Sequence, residues 1–340
     1  MIIDLRSDTV TKPSKPMLEA MLSAPVGDDV FNEDPTIIKL EEKLASMFDM
    51  QAGLFCPSGT MTNQIAIKVH TQPGDEVICD INSHIYVNEG GGIASNSGVQ
   101  ARVLTGDRGR IHAKQIEENI TGDFDWLPRT SLVSLENTIN KAGGSFYTIK
   151  EIEPITELCK QKKLPLHLDG ARIFNALEAS RETTQQHGNL LTSISVCLSK
   201  GLGAPVGSVL LGDKPFIKQA RRVRKVFGGG MRQGGILAAA GLYALENNIA
   251  RLKDDHMRAK QLGKMLSKLP FIENILPVDT NIVIFHVAEK AGSHNFVQAL
   301  QKHNIKAVAF GKNTVRMVTH LDFTDDMLTE TEKVLKAVTL

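Results

Sequence analysis

Short apolar runs with little polar alternation punctuate the first two-thirds of the chain. Residues 54–56, 76–79, 131–135, 164–168, 194–198 and 207–211 read as strands. Segments with a helical apolar period lie between many of them, such as 61–70 and 149–162. Strands apolar on both faces, alternating with helices, predict a mostly parallel sheet covered on two sides. A long helical stretch over 235–269 follows, closed by Pro270. The rhythm then changes. Residues 281–287, 305–310 and 314–318 read as strands. Ser293 reads as the cap of a helix with Phe296, Val297 and Leu300 on one face, and Thr324, Asp325 and Asp326 open a last helix with acid at its positive end. The pattern predicts an α/β protein in three parts: an arm over 1–12, a large domain over 13–249, and a small α/β domain over 250–340.

A length of 340 residues suits one large domain and a smaller one. Apolar residues at 42% and charged residues at 23% are ordinary for a soluble protein. A net charge of +1 gives no global field to attract nucleic acid or an anionic membrane, so any anion needs a local site. The amino terminus lacks a signal-peptide layout, and the apolar stretch 234–245 is too short to span a bilayer. Cys56, Cys79, Cys159 and Cys197 form no Cys-x-x-Cys pair and read as reduced, buried thiols. A cytoplasmic protein is expected.

The informative pair is Asp169 and Lys200. Each ends a predicted strand, Asp169 in Leu-His-Leu-Asp-Gly-Ala-Arg172 and Lys200 in Cys-Leu-Ser-Lys-Gly-Leu-Gly. In an open α/β sheet, ligands sit beyond the carboxyl ends of the strands. Adjacent strands lie about 4.8 Å apart, so a flat ring can bridge the two side chains. A lysine forms an imine with an aldehyde cofactor, and a carboxylate keeps a pyridine nitrogen protonated, which makes the ring an electron sink. The pair therefore points to pyridoxal 5'-phosphate. Pro57-Ser58-Gly59-Thr60 precedes a helix, where free N–H groups, the close approach that Gly59 permits and the Ser58 and Thr60 hydroxyls suit a phosphate; a plain helix cap is the alternative. His84 is placed to lie flat on the ring, or is a structural histidine. Arg172 is within reach of the cofactor's phenolate oxygen or a substrate carboxylate. Arg316, a charge in mid-strand, reads as a bidentate hold on an amino-acid carboxylate or as a residue of an exposed face. Arg232, beyond Gly228-Gly229-Gly230, is placed to reach a phosphate, that of a neighbouring subunit included. The basic run 221–225 has no aromatic interleaving and reads as a solvated helix face rather than a nucleic-acid site. The ten histidines show no metal-ligand spacing.

These residues resemble the threonine aldolase family of fold-type-I pyridoxal-phosphate enzymes, in the superfamily of the aromatic amino-acid β-eliminating lyases. The matching segments run in order almost end to end: 4–11, 27–36, 57–60, 83–85, 128–132, 136–138, 167–175, 198–208 and 228–233. The resemblance implies a large domain with a mostly parallel seven-stranded sheet and a homotetramer with active sites shared across an interface. It implies that Lys200 carries the imine, Asp169 pairs with the pyridine nitrogen and His84 stacks on the ring. Gly59 and Thr60 would hold the phosphate with a partner's Arg232, and Ser7, Arg172 and Arg316 the substrate carboxylate. The implied reaction is retro-aldol cleavage of a β-hydroxy-α-amino acid, such as L-threonine or L-allo-threonine, to glycine and an aldehyde. Two positions depart from the family. Trp126 and Ile139 stand where many members carry histidines on the side of the β-hydroxyl. Their loss leaves His84 or a phosphate-held water as the base. It predicts a more apolar substrate side, with Trp126 contributing, and a preference for a bulky substrate such as phenylserine. Phe31 replaces a frequent tyrosine. The alternatives are a β-eliminating lyase or aminotransferase, and a weakly active cofactor-binding homologue.

Overall fold

A computed structural model describes residues 2–338. The large sheet has seven strands: β1 (Ala52–Cys56), β2 (Glu76–Asp80), β3 (Gln100–Leu104), β4 (Thr130–Glu136), β5 (Leu166–Gly170), β6 (Ser193–Cys197) and β7 (Ser208–Gly212). Their spatial order is β1-β7-β6-β5-β4-β2-β3. Strand β7 runs antiparallel to both neighbours, and the other pairs are parallel. Strands β1 and β6 therefore share one direction, and the carboxyl ends of all strands but β7 lie on one edge. Strands β2, β4, β5, β6 and β7 are buried at every position, as two-sided cover by helices requires. Strand β3 does not show among the apolar runs, because it lies at the sheet edge and alternates polar Gln100 and Arg102 with apolar Ala101 and Val103, partly exposed.

The small domain carries a four-stranded antiparallel sheet of β8 (Ile272–Ile275), β9 (Ile282–Val287), β10 (Val308–Ala309) and β11 (Thr314–Val318), in the order β10-β11-β9-β8. Its core gathers Phe285, Phe296, Met317 and Phe323 with Ile3 and Leu5 of the arm. The arm is thus packed into the small domain, and Ile3–Asp4 pairs in parallel with Ile305–Lys306. Two sequence expectations are corrected. The stretch 235–269 is two helices, Gly235–Asn247 and Leu252–Leu266, separated at Asn248, whose side chain donates to the Leu202 carbonyl at 2.7 Å. The run 305–310 is split, its first residues pairing with the arm and Val308–Ala309 with β11. Among the described residues no helix is long and apolar enough to cross a membrane.

Candidate active site

The carboxyl edge of the large sheet collects the predicted residues. Asp169 is the penultimate residue of β5, in register with Glu136 of β4 and Ser195 of β6. Lys200 lies three residues beyond β6, half-buried, close enough to act electrostatically on Asp8 and His84. His84 opens a short turn of helix after β2.

Beyond β1 the chain turns at Ser58 into the helix Gly59–His70. Ser58 caps it, its Oγ accepting from the Met61 amide at 3.2 Å. A Cβ at Gly59 would make only ordinary contact with Ser208 Oγ at 3.4 Å and Cys197 Sγ at 3.9 Å, so the bare glycine leaves that space to a ligand. Ser208 Oγ is buried without a hydrogen-bond partner. A helix start with unpaired amides, a glycine and an orphaned hydroxyl form a donor-rich cradle suited to a phosphate. Ser58 Oγ accepts in the cap and keeps its O–H free to donate, while Thr60 is exposed.

Next to the cradle lies a buried acid network. Asp169 Oδ2 accepts from Asn63 Nδ2 at 2.9 Å, and its Oδ1 from the Ala171 amide at 3.1 Å. Asn63 Nδ2 also donates to Glu89 Oε1 at 2.9 Å, and Gln64 Nε2 to Glu89 Oε2 at 2.7 Å. The His84 Nδ1 lies 2.8 Å from Glu89 Oε1. Burial opposes an imidazolium here, but the Glu89 hydrogen bond and the Asp169 charge outweigh it and raise the His84 pKa. His84, Glu89 and Asp169 stand within 4.8 Å of one another, a spacing compatible with a metal ion. Asn63, Gln64 and the Ala171 amide already donate to both carboxylates, so hydrogen bonding accounts for the cluster. Glu136 binds the two flanking loops by accepting from the His84 amide at 2.8 Å and the Asn140 amide at 3.0 Å. Burial and the Asp169 charge push its carboxyl up to about 7, against these two donors.

The third part is cationic. Arg172 is buried in a two-pronged ion pair with Asp8, Nε to Oδ2 at 2.6 Å and Nη2 to Oδ1 at 2.7 Å. Asn281 Nδ2 donates to the same Oδ2 at 3.2 Å. Burial works against the Asp8 charge, yet Arg172, Lys200 and Asn281 hold its carboxyl down at about 2. Arg316 donates to Asn140 Oδ1 at 2.8 Å and to the Arg6 carbonyl at 3.0 Å, and lies over the Phe310 ring. Its Nε is buried without a partner. Burial and the neighbouring Arg172 charge lower its pKa to about 10. Among the described residues Asp8 pairs with Arg172 alone, so the half-buried Arg316 guanidinium has no carboxylate partner of its own there and suits a further anion. Ser7 Oγ accepts from the Thr9 amide at 3.2 Å and lies 3.5 Å from Asp8 Oδ1.

Two expectations need correction. Trp126 precedes the first residue of β4, so it lies at the opposite edge of the sheet, about 20 Å along the strand from the Glu136 end. It is 75% exposed and stacks on Phe124. Within one chain it lines no part of this site. Ile139 is buried in the main core against Gly109, so it does not make an apolar substrate wall. Arg232 is exposed and its guanidinium pairs with Asp28 at 3.1 Å, so within one chain it does not reach the Ser58–Thr60 turn, and its expected role toward a partner's phosphate stands as a proposal. Arg172 is given over to Asp8, which limits its expected hold on a substrate. Asp8, Asn63, Glu89 and Glu136 are site residues that the sequence reading missed.

The residues present fit pyridoxal phosphate: the orphaned Ser208 hydroxyl and Gly59 suit its phosphate, the buried Asp169 carboxylate its ring nitrogen, and Lys200 its aldehyde.

Comparison with known proteins agrees with this geometry. A family model described as β-eliminating lyase matches residues 4–290. The chain is 40% identical over 330 residues to the low specificity L-threonine aldolase of Escherichia coli K12, covering 97% of each. It is 40% identical over 329 residues to low-specificity L-threonine aldolase 1 of Arabidopsis thaliana, covering 95% of this chain and 92% of that one. The solved structure of Leishmania major threonine aldolase superposes with a TM-score of 0.85 at 22% identity, over 98% of this chain and 99% of that one, and shares the fold-type-I architecture. The chain is a member of the β-eliminating lyase family and of its threonine aldolase branch.

Proposed function

We propose that this enzyme uses pyridoxal phosphate to cleave a β-hydroxy-α-amino acid, threonine included, to glycine and an aldehyde. The observation that carries the reading is one grouping at the carboxyl edge: half-buried Lys200, the buried Asp169 carboxylate, and Arg316 with an unpartnered buried Nε. When bound, the cofactor supplies an electron sink for the pair released from the Cα–Cβ bond. Lys200 would anchor it covalently, and Asp169 would keep its ring nitrogen protonated. Ser58, Gly59, Thr60 and Ser208 would hold the phosphate. Arg316 takes the substrate carboxylate with its free Nε edge, with Ser7 and Arg172 beside it. That grip decides which bond at Cα stands perpendicular to the ring, and so selects carbon–carbon cleavage. His84 spends Nδ1 on Glu89, which leaves Nε2 as the nitrogen for proton transfer at the β-hydroxyl.

With Ile139 buried in the core and Trp126 outside the chain's own site, the ground for a phenylserine preference falls unless another copy supplies Trp126. We infer a homo-oligomer, a tetramer by resemblance to the family. Exposed Leu18, Leu22, Val26 and Phe31 support it, as do Trp126 and Arg232, which are exposed and leave this chain's own site unlined by them. Four buried, unbridged cysteines fit a reducing compartment such as the cytoplasm.

The test is product analysis with L-threonine, L-allo-threonine and phenylserine. Glycine plus an aldehyde supports the reading. Ammonia plus a keto acid overturns it in favour of β-elimination.

A further inference from the structure

A chain of buried polar groups runs from the site along the sheet to its far edge. Asn63 Oδ1 lies 3.2 Å from His167 Nε2. His167 Nδ1 lies 2.9 Å from Ser193 Oγ, and Ser193 Oγ lies 2.9 Å from His70 Nε2. Asn63, His167 and Ser193 are buried, and the His70 ring is stacked on Phe216.

The protons in this chain can be placed by elimination. Glu89 accepts from Asn63, Gln64 and His84, and Asp169 from Asn63 and Ala171, so both are carboxylates that need donors. Both protons of the Asn63 amide are therefore spent on the two acids, and its Oδ1 faces His167 as an acceptor. His167 Nε2 must then carry a hydrogen. Burial and the nearby His70 push the His167 pKa down to about 3, and burial pushes His70 to about 4, so both rings are neutral. A neutral His167 with hydrogen on Nε2 has a bare Nδ1, which accepts from the Ser193 hydroxyl. Ser193 in turn accepts from His70 Nε2. Every donor points toward Asp169. A reversed Asn63 amide would set its carbonyl against two carboxylates and Nδ2 against a donor.

We propose that Asn63 is the positioning residue for Asp169, and that His167, Ser193 and His70 fix the direction of its amide so that Asp169 remains the anionic partner of the cofactor ring. This rests on the pyridoxal-phosphate reading above. The device also links Asp169 to His84 through the shared Glu89, so one amide sets both groups expected to flank the ring.

A neutron structure of the wild-type protein tests the arrangement without turnover. Deuterium on His167 Nε2 and none on Nδ1 is the expected result; deuterium on Nδ1 overturns the proposal even if the cofactor reading stands. The functional arm compares His167→Gln, whose amide can donate at the Nε2 position, with His167→Leu. His167→Leu is expected to lower kcat about tenfold, the loss of one hydrogen bond supporting a charged group, with KM unchanged. It is also expected to shift the pH at which the bound cofactor's absorbance changes, and His167→Gln to restore both. Equal spectra and kcat for wild type and His167→Leu overturn the proposal, as does a drop in kcat that His167→Gln does not relieve. If the wild-type protein binds no pyridoxal phosphate, the underlying reading fails instead, whatever the His167 tautomer.

Discussion

Replacing Asp8 with Asn attacks the point where arm, large domain and small domain meet, because its carboxylate takes Arg172 from the large domain and Asn281 from the small one. The Arg172 and Asp8 side chains are 4% and 0% exposed, so solvent barely screens the pair. The carboxyl is held at about 2 against an ordinary 3.8, which at 1.36 kcal/mol per tenfold in proton affinity is worth about 2 kcal/mol at neutral pH. The substitution also leaves the Arg172 charge buried without its counter-ion, and breaking a buried pair in this way costs about 3–5 kcal/mol. The sign of the pH dependence follows. A depressed carboxyl contributes stability above its unfolded value and loses it as pH falls toward 2. The gap between wild type and Asp8→Asn should therefore be full at pH 7 and narrow below pH about 4. Urea unfolding at pH 7 and at pH 3.5 measures it. A gap under about 1 kcal/mol at pH 7, the size of a surface pair, would refute the claim that this ion pair fastens the arm.

Glu41 behaves in the opposite sense. Burial pushes its carboxyl up to about 7, outweighing the Phe55 amide and the Arg221 and Arg224 charges. The folded chain then holds a proton that the unfolded chain releases, so stability falls as pH rises from about 4.5 to about 7. Glu41→Gln keeps an acceptor for the Phe55 amide and should gain Tm relative to wild type across that interval; a constant Tm difference contradicts this. Arg316→Lys replaces a planar fork with a point charge. It should raise KM for the amino acid by about tenfold or more while kcat changes less, since the contact is made to substrate and transition state alike. Steady-state kinetics with threonine decides it, and an unchanged KM removes Arg316 from the substrate site.

The sequence exposed what is carried by local pattern. Buried strands and their terminal residues showed as apolar runs ending in Asp169 and near Lys200, and the phosphate turn showed as Ser58-Gly59-Thr60 before an apolar helical period. By the same rule Glu136, at the end of the run 131–135, was open to detection. Asn63 and Glu89 gave no such sign, because a polar residue inside a helix or before a glycine run is ordinary until the fold buries it against an acid. Asp8 was hidden for another reason: its partner Arg172 is 164 residues away, and only the packing of the arm joins them. Trp126 precedes the start of β4, a placement that adjacency to a family motif does not reveal. The helix over 235–269 was overextended because the break at Asn248 depends on a contact with the Leu202 carbonyl, distant in sequence.

The central claim is that Lys200 is the cofactor's covalent anchor. The direct measurement is the visible absorbance and turnover of purified Lys200→Ala, supplied with pyridoxal phosphate beside the wild type. The account predicts that the variant loses the absorbance band of the anchored cofactor and its release of glycine from threonine, with the fold intact by circular dichroism. A wild-type spectrum with wild-type turnover in the folded variant would contradict it.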